Sequence, residues 1–138
     1  MHSVRERRLV EWGLILAVLS SGPIVQEKQG ARRSELSEAR YRAAAKQFEL
    51  VWQYYQQNRV DTFDVYLWSR LLLDSRLKVS RNPVDRIAAH EEHLDHMRRL
   101  EILIRKIRRL GFGRSNDVGA SEYWRIEAEC WLAEARDG

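Results

Sequence analysis

Residues 89–97, Ala-His-Glu-Glu-His-Leu-Asp-His-Met, hold the one cluster in the chain whose residue types and spacing suit metal chemistry. His90 and His93 stand one helical turn apart, as do His93 and His96, and His93 and Met97 have the i, i+4 spacing that brings two side chains onto one face. Imidazole with a thioether suits copper or nickel, and imidazole with a carboxylate suits zinc. The candidate ligands are therefore His90, His93 and Met97, and the implied cofactor is a transition metal. Histidine also titrates near neutrality, which makes proton sensing a second use of the same residues. Against both uses, three histidines stepping by three drift around a helix and cannot all face one ion. The His-Glu-x-x-His order of zinc proteases is absent as well. The preferred reading is structural, with no cofactor: Met97 fills core, His93 is a semi-buried polar residue with its bonds satisfied, and His90 and His96 are solvated.

Other chemistry-bearing patterns are sparse. Arg98, Arg99, Arg105, Lys106, Arg108, Arg109 and Arg114 form a basic run that could track phosphates. The same run lies where positive charge stabilises a helix C-terminus, and no stacking aromatics interleave with it, so it reads as a solvated face and no nucleic-acid partner is expected. A basic, helical nucleic-acid binder is the third choice of function. Trp52, Trp68, Trp124 and Trp131 fall on apolar stripes and read as core rather than a ligand-stacking box. The sequence has no glycine-rich phosphate loop, no nucleophile elbow and no paired carboxylates in distinct surroundings. Its single cysteine, Cys130, reads as a small helix residue. An enzyme is not expected.

These residues must be positioned by helices. The chain has 138 residues, two prolines and a near balance of 24 basic against 20 acidic side chains, for a net charge of +4. That surplus is too small to imply nucleic acid by itself. Ala, Leu, Glu, Arg and Gln dominate the middle, and all favour helices. Ser34 or Ser37 is expected to cap a first helix whose apolar stripe runs through Tyr41, Ala44, Phe48, Val51 and Tyr55. Asn58 closes it, and Asp61 or Thr62 caps a second helix through Phe63, Trp68, Leu72 and Leu77. Asn82, Pro83 and Asp85 supply the cap, first position and first turn of a third helix. Gly111 stops that one, and Ser115 or Asn116 caps a fourth through Val118, Trp124, Ala128 and Trp131. Short connections force neighbours antiparallel. The fold class is all-α, two antiparallel helical hairpins forming either an up-down bundle or an extended coiled-coil-like pair.

The two hairpins repeat one another. Asn58 and Gly111 each stand six positions before an Asp-Val pair, Asp64-Val65 and Asp117-Val118, and each pair opens a tryptophan-bearing helix. This pattern resembles the helical hairpin repeat of the TolC-like outer-membrane efflux proteins over residues 39–136. By position, Tyr55, Asn58, Asp64 and Val65 match one copy of the motif, and Leu110, Gly111, Asp117 and Val118 the other. Members of that family are several-fold longer and contribute barrel strands, and no window here alternates over a strand's length. The resemblance therefore implies a periplasmic hairpin module, efflux-associated or a scaffold, that meets a protein partner or itself through helical surfaces. Asn58, Asp64, Val65, Gly111, Asp117 and Val118 would set its geometry. An alternative likeness, in architecture and residue type, is to small envelope metal sensors and stress chaperones that bind metal through His, Glu and Met.

The start of the chain differs in character. Arg5, Arg7 and Arg8 precede an apolar run at residues 12–19 and the small residues Ser20, Ser21 and Gly22, the order of a secretory signal peptide. Residues 1–25 are thus expected to be a signal peptide or an apolar leader, residues 26–33 a linker, and residues 34–138 the hairpin domain. Export to the periplasm or cell envelope follows. No stable membrane span is expected after processing, because Glu11 and Gln26 bracket too few apolar residues.

Overall fold

The computed structural model describes residues 22–138, so the leader or signal-peptide expectation for residues 1–21 lies outside the described residues. Four helices follow in order: α1, Pro23–Gln56; α2, Thr62–Val79; α3, Pro83–Arg109; and α4, Ser115–Asp137. Among the described residues there is no strand. The hairpins α1/α2 and α3/α4 pack side by side into one bundle through α2 and α3. A single apolar core draws on every helix: Ala44, Phe48 and Val51 from α1, Val65 and Leu72 from α2, Leu94, Met97, Leu100 and Ile104 from α3, and Ala128 and Leu132 from α4. Of the two layouts, the bundle is the one formed.

The interhelical side-chain contacts place α2 and α3 at the centre. Phe48 of α1 stacks on His96 of α3 at 4.0 Å between centroids. On the other side, Tyr66 of α2 stacks on Trp124 of α4 at 4.6 Å with planes only 9° apart, and its hydroxyl donates to Glu127 Oε1 at 2.9 Å. Trp52, Trp68 and Trp124 are half-buried against the core as expected, whereas Phe63, placed on the inward stripe by its spacing, is exposed.

The two corners close by the same mechanism. In the first, the Arg59 amide donates to Tyr54 O at 2.8 Å and the Asn58 amide to Tyr55 O at 3.0 Å. In the second, Phe112 donates to Ile107 O at 3.1 Å and Gly111 to Arg108 O at 3.0 Å. Both are the crossed pair of bonds that satisfies the last carbonyls of a helix when the following residue turns left-handed. Asn58 has φ +57° and Gly111 φ +85°. Gly113, with φ +75°, is a second left-handed residue in the later corner that the spacing argument missed.

Caps differ from expectation at two helices. No break occurs at residues 26–33, and Ser34 and Ser37 lie inside α1, which starts ahead of them with Pro23 in its first turn. One glycine costs a helix only about 1 kcal/mol, and the flanking Gln26, Glu27, Lys28, Gln29, Arg32 and Arg33 have straight side chains that lose little in one. At α4 the cap position is Arg114, so Ser115 and Asn116 are already helical. The remaining signals hold: Asp64 Oδ2 accepts from the Asp61 amide at 3.0 Å, and Asn82 Oδ1 accepts from the Asp85 amide at 2.9 Å.

Candidate functional site

Two places in the bundle carry polar chemistry, and one carries an apolar opening. The first is a buried triad at the α2–α3 interface. Ser69 is 1% exposed, and its Oγ lies 2.8 Å from His93 Nδ1 and 2.9 Å from His96 Nδ1. Helical spacing on α3 puts the two imidazoles one turn apart, and α2 supplies the hydroxyl between them. A serine has one proton to give, so it donates to one Nδ1 and accepts from the other, and the histidines must hold opposite tautomers. His93 Nε2 is buried without a partner. A bare lone pair is cheaper to bury there than an unpaired N–H, so the network assigns the donor Nδ1–H to His93 and the acceptor Nδ1 to His96.

Aromatic rings enclose both imidazoles: Trp131 stacks on His93 at 5.7 Å, and Phe48 lies on His96. Burial favours the neutral rings. It pushes His93 down to about 3, with help from His96, Arg70 and His90 and opposition from the backbone of Ser69. Burial pushes His96 down to about 4, with Asp95 opposing and Arg99 assisting. His96 is thus buried and not solvated, because α1 reaches across to cover it. His90 is only half-buried, yet its Nδ1 is enclosed and unpartnered, and burial with Arg86 nearby lowers its proton affinity.

Of the candidate metal ligands, Met97 is fully buried in the apolar core and His93 spends Nδ1 on Ser69. Among the described residues, no three His, Cys, Asp or Glu side chains gather in a metal-binding arrangement. The ligand capacity that remains is the pair of enclosed nitrogens, His90 Nδ1 and His93 Nε2. Ser69 beside histidine has the atoms of a nucleophile and a base, but the space beside it admits no water-sized molecule.

The second polar place is an ion network on the α3–α4 side. Glu101 is buried, and it accepts from Arg105 Nε at 3.0 Å and from Arg125 of α4. Arg125 also donates to both oxygens of Glu129 at 3.1 Å. Burial raises the Glu101 carboxyl's proton affinity, and the bonds from Arg125 and Arg105 outweigh it, leaving the group below its ordinary range.

At the corner end an open cavity of about 920 Å³ separates the two turns. Its lining includes Phe63, Leu103, Ile107, Leu110, Phe112 and Trp124. Asn58 and Asp117 line it too, so a residue from each of the two matching sequence motifs lies on its rim. Asp64 is engaged at the head of α2, Val65 is fully buried, and Val118 packs against the core. Arg114 Nη2 reaches Asp61 Oδ1 at 4.0 Å, joining one corner to the other. Neither the Ser69 triad nor the link from Glu101 to α4 was legible in the sequence, because both depend on which helices meet.

The chain matches no protein-family model, no curated protein and no solved structure.

Proposed function

We propose that this protein is a non-enzymatic, exported helical-hairpin scaffold, TolC-like in its repeated corner and efflux-associated, that presents a coiled-coil surface to a second helical chain. The observation that carries this reading is on α1. Leu36, Ala43 and Leu50 lie one heptad apart and are all exposed, and residues 23–36 are exposed throughout, as expected of a helix awaiting a partner. An isolated helical segment of that length is marginal in water, so a covering helix would stabilise it. The matching corners support the hairpin-repeat likeness.

Sedimentation velocity across a concentration series tests the reading, together with photocrosslinking from position 36 in envelope fractions. Self-association, or crosslinks to a helical protein, that Leu36→Glu with Leu50→Glu abolishes is the expected result. A monomer at all concentrations with no crosslinked partner refutes it. The mass of the mature N-terminus tests export.

A second reading, metal sensing, draws on His90 Nδ1 and His93 Nε2, two enclosed imidazole nitrogens without partners. Neutral imidazole is the ligating form, and metal binding to the folded state raises stability by mass action. A melting-temperature rise with nickel, copper or zinc that His90→Ala abolishes would favour it over the scaffold. Unchanged melting removes it.

A further inference from the structure

The corner end of the bundle combines features that the scaffold reading leaves unused. Phe112 is 70% exposed, Leu110 66% and Phe63 56%. Leu110 and Phe112 flank Gly111 on the α3–α4 turn, and Gly113 follows, so two bulky apolar side chains stand out from a short loop. The two turns and the last turn of α3 carry Arg59, Lys106, Arg108, Arg109 and Arg114, of which Arg108 also donates to the Phe112 and Gly113 carbonyls and Arg59 lies over the Tyr54 ring. Among the described residues only Arg114 of these five makes a salt bridge, the long one to Asp61. Three carboxylates share this end: Asp61 faces Arg114, Asp64 caps α2, and Asp117 sits in the first turn of α4. The balance is cationic.

We propose that this tip docks on the surface of an anionic lipid bilayer. Leu110, Phe112 and Phe63 enter the boundary between headgroups and acyl chains, and the cations meet lipid phosphates. Charge complementarity supports this occupant, since a cationic collar around protruding apolar groups matches an anionic interface over an apolar interior. Shape supports it too. The exposed side chains project from the end of the bundle, and a fluid interface receives them without a preformed hole, which a folded protein would need. The docking is peripheral, as no described helix is long and apolar enough to cross a membrane. With the tip on lipid, the exposed stretch of α1 lies at the opposite end of that helix and stays free for a helical partner, so the inference does not rest on the scaffold reading.

Co-sedimentation of the full chain with vesicles tests it, using phosphatidylcholine alone against an equal mixture of phosphatidylcholine and phosphatidylserine. Binding to the mixed vesicles that weakens with salt is expected, with little binding to the neutral ones. Lys106→Gln with Arg109→Gln should reduce partitioning by roughly fivefold per charge removed. Leu110→Ser with Phe112→Ser should reduce it by about tenfold or more, because apolar burial is lost. All of these positions are exposed, and an unchanged circular-dichroism melt certifies that each variant is folded. Three results overturn the proposal: no sedimentation of the folded wild-type chain, equal binding to both vesicle types, or full binding by the serine variant. Tight oligonucleotide binding with no vesicle binding would also overturn it and assign the cations to nucleic acid.

Discussion

The hydroxyl of Ser69 lies 2.8 Å from His93 Nδ1 in a part of the bundle closed to solvent. A second bond, to His96, makes this one oxygen the partner of two buried imidazoles. Ser69→Ala keeps the helix and leaves two ring nitrogens without partners, at about 1 to 3 kcal/mol for buried polar groups so stranded. Urea unfolding should show a lower midpoint with an unchanged slope. A loss below about 0.5 kcal/mol, the size of an ordinary surface change, would mean the hydroxyl is not holding the imidazoles.

The same imidazoles set an acid limit. In the unfolded chain each binds a proton near pH 6.5, whereas in the fold His93 waits until about 3 and His96 until about 4. Below 6.5 the unfolded state therefore holds more protons, and stability rises with pH there. The contribution is complete above about 6.5 and falls away as pH drops toward 4, by about 1.4 kcal/mol per pH unit for each imidazole. Unfolding free energies at pH 7.5 and 5 measure it. His96→Phe should remove about half of the difference, and a variant with undiminished pH dependence would show that His96 is not the group responsible.

What the sequence made legible is what local geometry decides. Asn58 and Gly111 declared themselves because few residues tolerate positive φ, and Asn82-Pro83 because proline suits the first turn. The break before Ser34 failed for a related reason: a glycine among good helix formers lowers helix stability without ending the helix. Ser69, His96 and Glu101 were invisible as a site because their partners lie 24 or 27 positions away, or across on α4, and only the packing of α2, α3 and α4 brings them together.

The corner glycines divide into two kinds of strain. At Gly111 an added Cβ would meet nothing within 4 Å, so Gly111→Ala costs only the left-handed backbone, about 1 to 2 kcal/mol. At Gly113 the added Cβ would also come within 3.1 Å of Ile107 Cγ2. Gly113→Ala is therefore expected to destabilise more than Gly111→Ala in paired thermal melts. The reverse order would show that Ile107 yields freely, and equal, negligible losses would remove the left-handed assignment at both positions.

Glu101 shows how the basic run on α3 divides. Arg105 reaches it along the same helix and is 44% exposed, an arrangement worth about 0.3 to 0.5 kcal/mol. Arg125 reaches it from α4 and is three-quarters covered, so its bond crosses a helix interface with less solvent to compete. Glu101→Gln gives up charge-assisted bonds to both and is expected to cost about 1.5 to 3 kcal/mol. Double-mutant cycles separate the two arginines: the coupling of Glu101→Gln with Arg125→Gln should exceed that with Arg105→Gln. The carboxyl sits below its ordinary range in the fold, so this stabilisation is present above about pH 4.5 and is lost as pH falls further. If the Arg105 coupling proved the larger, the α3–α4 interface would owe its hold to the apolar contacts of Ala128 and Leu132, with the ion network only decorating its edge.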